Sequence, residues 1–445
     1  MRYRILTLNN ISARGLERLP REHYEIAPSL DRPDAILVRS ADMHGTVIAD
    51  TVRAVGRAGA GVNNIPVAEL SRRGVPVFNT PGANANAVKE LVLASLFLAA
   101  RNICAAWAFA RSLTGDDRAI DEAVEQGKKK FAGFELPGRT LGVVGLGAIG
   151  VEVANSALAL GMKVLGYDPQ ITVQRAWQLR SNVAQALSLE DLFARSDAIT
   201  VHVPLNDQTR QLVNETRLKL MKKGGLLLNF ARAAIVDDRA VIGALDAGRL
   251  HAYVCDFPSN ALKDHPQVVT LPHLGASTGE AEENCAVMVA DQVRDFLENG
   301  NIKNSVNYPE AVLPRAPGTT RLAIANSNVP NMVGQISTCL AHARINIADL
   351  LNKSRGEYAY TLIDADGAID TDLLSRMRAI EGVLSAPHRC DRRENPSAHQ
   401  RPCAARAARR HLQDTRRPHG RLLSAGARSP GPADGARAQR GAAAR

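Results

Sequence analysis

The chain has 445 residues, of which 45% are hydrophobic and 4% aromatic, enough for cores built on aliphatic side chains. At about 100–200 residues for each domain, this length predicts two to four domains. The formal net charge is +10, but residues 387–445 alone carry 14 Arg, no Lys and four acidic residues. The 41 basic and 41 acidic residues of 1–386 cancel, so nucleic acid is not expected as a partner.

The cysteines and the apolar runs predict a cytoplasmic protein. Six cysteines form no CxxC pair and no metal-ligand spacing, which is typical of reduced thiols, and no metal is expected. The N-terminus lacks the apolar core of a secretion signal. The longest apolar run, residues 91–100, is shorter than the roughly 20 residues that cross a bilayer, so no membrane partner is expected.

The first part of the chain has the alternation of an α/β fold. Residues 4–8, 35–38 and 75–78 are short apolar runs, which are typical of buried parallel strands. Residues 86–111 form a run rich in Ala and Leu that predicts one long helix. The more polar stretch 114–130 predicts a surface helix and a loop.

A glycine-rich turn is the strongest motif in the chain. Gly145, Gly147 and Gly150 follow an apolar strand and precede an apolar helix. The first glycine allows a tight turn, the second lets the backbone approach a pyrophosphate, and the third lets the helix pack close to the sheet. The next apolar run ends in Asp168, whose carboxylate can accept ribose hydroxyls and repel a 2′-phosphate. The motif predicts a doubly wound domain that binds NAD.

The α/β alternation continues after this turn. Apolar runs at 199–203, 225–229 and 253–255 predict further strands of the same sheet. An amphipathic helix predicted over 281–298 is placed to return the chain to the first domain.

A small module and a basic tail follow. Residues 320–382 have strand-helix-strand-strand-helix order, five-sixths of a ferredoxin-like βαββαβ module. The last 59 residues contain no Val, Ile, Phe, Tyr or Trp, so 387–445 is predicted to be a disordered Arg/Ala-rich tail. We hypothesise that a frameshift replaced the last strand of the module. One base added or removed near codon 386 should then restore an apolar strand.

Three further clusters carry chemistry. Arg232 lies just beyond a strand end, where a guanidinium can grip a carboxylate bidentately and polarise a carbonyl. His273 can pass a proton to or from the oxygen of a carbon that gains or loses hydride. The third cluster joins a strand-end arginine to backbone donors and suits an anionic substrate: Arg39, Ser40, Gly59 and Gly61. Each cluster also has a structural interpretation: Arg232 as a helix-capping arginine, His273 as a structural histidine, and the third cluster as a tight loop.

Together these residues resemble the D-isomer-specific 2-hydroxyacid dehydrogenases. The resemblance runs over residues 1 to about 385 and rests on the glycine-rich turn with Asp168 and on the Arg232 and His273 motifs. The segment Asn-Thr-Pro-Gly-Ala-Asn at 79–84 and the tripeptide His202-Val203-Pro204 add to it. The module that follows resembles an ACT domain, a regulatory fold for small ligands.

The resemblance implies two Rossmann-like domains with the substrate in the cleft between them. The substrate-binding domain would comprise 1–97 and 276–308, and the NAD-binding domain 98–275. A linker over 309–318 would lead to an ACT-like regulatory domain over 319–386 that lacks its last strand.

The resemblance also implies roles for single residues. Arg232 would bind the substrate carboxylate and carbonyl, His273 would be the acid–base, and Asn84 would join the substrate side. Asn328 and Asn346 would bind a serine effector across a dimer of modules. The residues expected to bind NAD are Gly145, Gly147, Ala148, Ile149, Gly150, Asp168, His202, Val203, Pro204, Gly275 and, near the nicotinamide carboxamide, Asp256.

The order of domains favours 3-phosphoglycerate as the small anionic 2-hydroxy acid substrate. The expected reaction is its NAD-dependent oxidation to 3-phosphohydroxypyruvate, the first step of phosphorylated L-serine biosynthesis, in a homo-oligomer of two or four chains. One alternative is a glyoxylate or hydroxypyruvate reductase of the same family. Another is a catalytically silent NAD-binding protein.

Two positions depart from the family pattern. The glutamate that orients the catalytic histidine is expected near Asn260 or Ala261, neither of which is acidic. Ala233 stands where the family has Gly, and its Cβ would be strained if the position needs a positive φ. We expect weakened reduction of 3-phosphohydroxypyruvate with an acid-shifted pH profile, partly compensated by Asp264, and weakened control by serine.

Overall fold

The computed structural model describes residues 2–316 and 318–385 and the backbone of 388–390. Five strands form its first sheet: β1 (Tyr3–Leu8), β2 (Tyr24–Ala27), β3 (Ala35–Val38), β4 (Ala54–Arg57) and β5 (Val77–Phe78). All pairs are parallel and the order is β2-β1-β3-β4-β5. Strand β3 is buried along its whole length, as expected where helices cover both faces of a parallel sheet. Two short helices accompany it: α1 (Ala13–Leu16) and α2 (Val67–Arg72).

The second sheet has seven parallel strands: β6 (Thr140–Val144), β7 (Lys163–Tyr167), β8 (Val183–Gln185), β9 (Ala198–Val201), β10 (Gly225–Asn229), β11 (Leu250–Cys255) and β12 (Val268–Thr270). Their order is β12-β11-β10-β9-β6-β7-β8. The chain therefore builds outward in one direction from β6 and in the other from β9. This reversal opens a crevice at the carboxyl ends of β6 and β9, where doubly wound sheets bind ligands.

Helices and two 3₁₀ turns, Lys128–Phe131 and Ala233–Ile235, surround this sheet. Side chains cap several helix starts, as Asp116 and Asp237 do by accepting backbone N–H groups of the first turn. The helices are α3 (Ala85–Ala100), α4 (Ile103–Ser112), α5 (Asp117–Gly127), α6 (Ala148–Ala159), α7 (Val173–Ala176), α8 (Leu189–Arg195), α9 (Glu215–Leu220) and α10 (Asp238–Asp246).

The single helix predicted over 86–111 is wrong. Asn102 adopts the left-handed conformation, with φ of 52°, and divides the run into α3 and α4, which meet at 63°. Helix α3 packs Val88 and Val92 into the core of the second sheet. The domain boundary predicted after residue 97 therefore falls inside a helix that packs on that sheet. In the described part of the chain no single helix is long and apolar enough to cross a membrane, although this bent pair passes the length and composition test together.

Helix α11 (Gly279–Asn299) returns the chain to the first sheet, as predicted. Its N-terminus is capped by Thr278, and it ends at Gly300, where φ is 72°. Val289 and Val293 lie against Gly56 of β4, where an added Cβ would come within 2.8 Å of both side chains. Glycine at this position lets the helix approach the sheet closely.

The last sheet is small and antiparallel. Its strands are β13 (Thr320–Ser327), β14 (Asn346–Arg355), β15 (Tyr358–Asp366) and β16 (His388–Cys390), in the order β14-β15-β13-β16. Helices α12 (Met332–His342) and α13 (Thr371–Arg378) cover one face. The predicted loss of the last strand is wrong for the described backbone, because β16 pairs with β13. Strand pairing uses backbone groups, which almost any residue supplies. The rest of the predicted tail lies outside the described residues.

The small sheet shares a core with the first sheet. Ala323, Tyr360 and Leu362 face away from α12 and α13 and pack among residues of the first sheet and of α11. The Tyr360 hydroxyl donates to the Gly300 carbonyl at 2.7 Å. The two sheets are therefore joined by buried side chains as well as by the linker.

A buried ion pair within the small sheet also binds the linker that leads to it. The Arg321 and Asp364 side chains are both 0% exposed, and they form two hydrogen bonds of 2.6 Å. Arg321 also donates to the Leu313 carbonyl at 2.7 Å. Burial opposes the charged form of Asp364, but hydrogen bonds from Arg321 and from the Ala316 amide outweigh it and hold the pKa of Asp364 below its ordinary value.

Candidate active site

The glycine-rich turn joins β6 to α6 at the crevice of the second sheet. Gly145 has a φ of 90°, a conformation that favours glycine. A Cβ on Gly150 would lie 1.9 Å from the Gly145 carbonyl oxygen, so this glycine sets the closeness of helix and turn. A Cβ on Gly147 would meet nothing within 4 Å. That open space lies at the N-terminus of α6, whose first turn holds Ala148 and Ile149, and it suits a pyrophosphate.

Asp168 lies at the end of β7 and braces the same turn. Its carboxylate accepts the Leu146 amide at 2.8 Å and the Gln170 amide at 2.9 Å. A cavity of about 390 Å³ opens beside it, with Leu146 and Ile171 among its apolar walls. A carboxylate at the rim of an apolar cavity suits an adenosine group without a 2′-phosphate.

His202, Val203 and Pro204 follow β9 on the other side of the crevice. A Cβ on Gly145 would lie 2.7 Å from the His202 carbonyl oxygen and 2.8 Å from Val203 Cγ1, so the tripeptide closes over the glycine-rich turn. The His202 ring lies 2.9 Å from the Thr200 hydroxyl through Nε2. Burial lowers the pKa of His202 to about 3, so the ring is neutral.

His273 lies in the loop between β12 and α11, with a φ of 58°. Asp256, which is 1% exposed, accepts the Leu274 amide at 2.8 Å and the Gly275 amide at 2.7 Å. This buried carboxylate therefore fixes the loop that carries His273. The structure adds this loop contact to the cofactor role predicted for Asp256.

The surroundings of His273 contain no paired acid in the described part of the chain. Its ring contacts Phe257 edge-on, with 5.4 Å between ring centroids. Asn260 and Ala261 are exposed. Asp264 is ion-paired with Lys263 at 2.7 Å, and no contact joins it to His273. The structure thus offers no support for the compensation predicted from Asp264.

Arg232 follows β10, where buried Asn229 shapes the turn. The Asn229 side chain donates to the Arg232 carbonyl at 3.0 Å and accepts the Ala231 amide at 3.1 Å. Ala233 opens a 3₁₀ turn and is not among the residues with positive φ, so the strain considered for its Cβ does not arise. Gly61 lies against Arg232, since an added Cβ would be 3.5 Å from its Nη2 atom.

Three arginines lie together on the predicted substrate side. Arg39 follows β3 and Arg57 ends β4, and the Arg57 side chain donates to the Arg39 carbonyl at 3.1 Å. Burial lowers the pKa of Arg57, and the neighbouring positive charges of Arg39 and Arg232 lower it further. Gly59 gives the Arg57 guanidinium its space, because an added Cβ would overlap Nη1 at 1.5 Å. We call Arg39, Arg57 and Arg232 the arginine cluster.

The loop before α3 contacts both the backbone beside this cluster, where the Thr80 amide donates to the Gly59 carbonyl at 3.1 Å, and the helix that follows the glycine-rich turn. A Cβ on Gly82 would lie 2.8 Å from Ala148 Cβ, so the loop touches the first turn of α6. Asn84 ends the loop as the N-cap of α3, and its side chain makes no capping hydrogen bond. Ser40 is exposed beside Arg39.

Sequence reasoning missed Arg57 and Glu282. Arg57 carries the same signal as Arg39 and Arg232, an arginine at a strand end beside glycines, so it was open to prediction. Glu282 is ion-paired with Arg39 across 243 positions of sequence, and no local pattern indicates that contact.

The two predicted effector residues lie at opposite ends of the small sheet. Asn328 donates to the Gly356 carbonyl at 3.0 Å, beyond the end of β14. Asn346 begins β14 and donates to Asp366 at 3.2 Å. One chain therefore does not bring them together.

Comparisons with known proteins agree with this geometry. Residues 103–275 match the model of the D-isomer specific 2-hydroxyacid dehydrogenase NAD binding domain. The chain is 32% identical over 347 residues to D-3-phosphoglycerate dehydrogenase of Haemophilus influenzae, which covers 75% of this chain and 80% of that protein. It is 38% identical over 307 residues to D-3-phosphoglycerate dehydrogenase of Rattus norvegicus, covering 66% and 54% respectively. The chain spans about half the length of several curated relatives that it matches.

Solved structures show the same likeness. Apo D-mandelate dehydrogenase of Rhodotorula graminis superposes with a TM-score of 0.60 at 25% identity, covering 71% of this chain and 100% of that one. NAD⁺-bound 3-phosphoglycerate dehydrogenase of Entamoeba histolytica superposes with a TM-score of 0.53 at 25% identity, covering 69% and 99%. Both likenesses extend over more than two thirds of this chain.

Proposed function

Because the chain belongs to the D-isomer-specific 2-hydroxyacid dehydrogenases, we propose that it oxidises 3-phosphoglycerate to 3-phosphohydroxypyruvate with NAD⁺, the first step of phosphorylated L-serine biosynthesis. The arginine cluster carries this proposal. A substrate with a carboxylate at one end and a phosphate at the other needs several cations. The relatives named D-3-phosphoglycerate dehydrogenase support the same substrate.

The residues divide the work as follows. Arg232 binds the substrate carboxylate, and Arg39 and Arg57 receive the phosphate, with Gly59, Gly61 and Ser40 lining that side. His273 takes the proton of the C2 hydroxyl, and Asp256 holds the loop that presents it. The glycine-rich turn and Asp168 would hold NAD⁺, which would supply the hydride acceptor that C2 needs to become a carbonyl as its hydroxyl proton passes to His273. In the reverse direction His273 returns the proton to that oxygen.

The cofactor assignment rests on the turn between β6 and α6. Asp168 would face the ribose hydroxyls, and its negative charge disfavours a 2′-phosphate, so NAD is preferred over NADP. Neutral His202 lies at the crevice beside that turn. It therefore adds no charge to the crevice that would hold the cofactor.

The test is NADH oxidation with 3-phosphohydroxypyruvate, glyoxylate and hydroxypyruvate. We expect preference for the phosphorylated acid. Arg57→Gln should raise the KM for that acid about tenfold, while Arg53→Gln, which removes a partly buried ion pair with Asp34 apart from the arginine cluster, should not. Preference for hydroxypyruvate or glyoxylate would favour the reductase instead.

A catalytically silent NAD-binding protein is the second candidate, because no acid pairs with His273 in the described residues. Calorimetric titration with NADH separates it from an enzyme. Ordinary affinity for NADH with no turnover of any 2-oxo acid would favour this candidate.

We propose the domain division 1–97 with 276–308, 98–275, 309–318 and 319–386 given above, in which α3 crosses the first boundary and packs on the second sheet. We also propose a cytoplasmic homo-oligomer. An exposed apolar group on α3, α4 and α5 supports the oligomer, and Trp107 of this group is 62% exposed. Trp107→Glu should yield monomers in sedimentation velocity.

In a dimer of modules, Asn328 of one chain and Asn346 of the other would bind serine. Serine titration of the purified chain tests this.

A further inference from the structure

Glu282 lies at the solvent-facing edge of the arginine cluster. It belongs to the first turn of α11, and its Oε1 atom is ion-paired with Nη2 of Arg39. The two side chains are 41% and 40% exposed. A solute that enters from solvent can therefore reach both partners.

Glu282 is the carboxylate partner of this cluster. Arg57 donates through Nε to the Arg39 carbonyl, and Arg232 donates through Nη1 to the Ala231 carbonyl. In the described part of the chain, neither arginine forms an ion pair with an acidic side chain. The cluster thus holds three cations and one anion, and the anion is fixed to Arg39.

We infer that Glu282 determines specificity by disfavouring substrates that carry a second anionic group. The inference rests on the proposed function, in which the phosphate of the substrate binds Arg39 and Arg57. A phosphate dianion must share Arg39 with the Glu282 carboxylate, which repels it. An uncharged hydroxyl in the same place donates a hydrogen bond to that carboxylate. Glu282 acts through the negative charge that it places beside Arg39, and not by orienting that arginine.

The neighbouring residue provides a matched control. Glu283 is ion-paired with Arg14 at 2.9 Å, apart from the arginine cluster. Glu282→Gln removes the charge at the cluster, whereas Glu283→Gln removes one charge from the same turn of the same helix. Both variants have the same net charge.

The experiment measures NADH oxidation by both variants and the natural chain, with 3-phosphohydroxypyruvate and with hydroxypyruvate. Removing one charge near a dianion, partly exposed to water, changes affinity by about tenfold. We expect Glu282→Gln to lower the KM for the phosphorylated acid about tenfold, with kcat and the KM for hydroxypyruvate within about twofold. Glu283→Gln should change none of these values by more than about twofold. The difference should shrink as salt is added.

Two results would overturn the inference. A higher KM for the phosphorylated acid in Glu282→Gln would mean that Glu282 orients Arg39 for binding. An equal change for both substrates would mean that the residue has no role in specificity. Glu282→Ala serves as the second variant if Glu282→Gln does not fold.

The proposed function can fail separately. If no chain turns over either acid, the proposed function is wrong for this chain. Calorimetric affinities of 3-phosphoglycerate and D-glycerate then decide the inference, since Glu282→Gln should still raise the first relative to the second. An unchanged ratio would refute it.

Discussion

At the scale of single residues, the buried carboxylate of Asp256 fixes the loop that carries His273. The loop before α11 carries His273 with a positive φ, which is uncommon for a residue with a side chain. Two hydrogen bonds to one buried carboxylate hold the next two amides. The position of His273, the proposed acid–base group, therefore depends on the buried Asp256 carboxylate.

Asp256→Asn should loosen this loop. The amide retains one acceptor but turns an N–H donor toward a backbone N–H donor. We expect a loss of about 2 kcal/mol in the free energy of unfolding, from urea denaturation, and a fall in kcat of about tenfold or more. Asp264→Asn, which removes a surface ion pair, is the control. Equal kcat values in the two variants would rule out a role for Asp256 in placing His273.

Ala261→Glu should restore the acid that is missing near His273. Ala261 is exposed and follows Phe257, whose ring contacts His273, by four positions. A carboxylate beside an imidazolium stabilises its proton. The alkaline limb of the pH profile for reduction should therefore move upward by about one pH unit, with a higher rate near neutrality. Ala261→Gln has similar size without the charge. Identical profiles for the two variants would argue against this role.

At the scale of elements, two glycines of the turn between β6 and α6 have different roles. Gly150 allows close packing of the helix, and Gly147 leaves open space for a ligand. Gly150→Ala places a methyl group against the Gly145 carbonyl and should cost about 1–3 kcal/mol of stability, because backbone must move. Gly147→Ala meets no protein atom, so stability should change little, yet its methyl group occupies the space suited to the pyrophosphate. Thermal unfolding and NADH titration of both variants check this. Weak NADH binding with lower stability in Gly147→Ala would contradict it.

Much of the element order could be predicted from sequence. Buried parallel strands such as β3, β6 and β10 are continuous apolar runs, and the glycine-rich turn fixed the place of α6. The break at Asn102 escaped prediction, because hydrophobic periodicity does not report a left-handed residue. Strand β16 escaped because backbone pairing needs no apolar side chain. In the site, Arg39 and Arg232 could each be predicted from their own local sequence. The ion pair of Arg39 with Glu282 could not, because the two residues are distant in sequence.

At the scale of the whole molecule, the Arg321–Asp364 pair lies within the small sheet and also binds its surroundings: Arg321 donates to the Leu313 carbonyl of the linker and the Asn299 carbonyl at the end of α11, and Asp364 accepts the Ala316 amide. Arg321→Met leaves a buried carboxylate without its partner and should cost about 3–5 kcal/mol. The double variant Arg321→Met/Asp364→Leu removes both charges and should recover most of that loss. Urea denaturation measures both, and an Arg321→Met variant as stable as the natural chain would show that the junction does not need the pair.

The same pair predicts a pH dependence. The pKa of Asp364 is lower in the folded protein than the ordinary value of about 3.9. Its contribution is therefore fully present above about pH 4 and is lost as the pH falls through the folded pKa. We expect the natural chain to lose more stability below pH 4 than the double variant. Parallel acid denaturation curves would exclude this linkage.

The core shared by the first and last sheets also limits how such a chain evolves. A domain joined to its neighbour only by a flexible linker can be exchanged between genes without loss of packing. Here the rings of Phe296 and Tyr308, outside the module, pack against Tyr360 inside it, tilted and edge-on, with ring centroids 6.5 and 6.4 Å apart. A foreign module would leave these rings facing the wrong surface. Exchange of the module alone would lose this packing, so we expect the two parts to be inherited together.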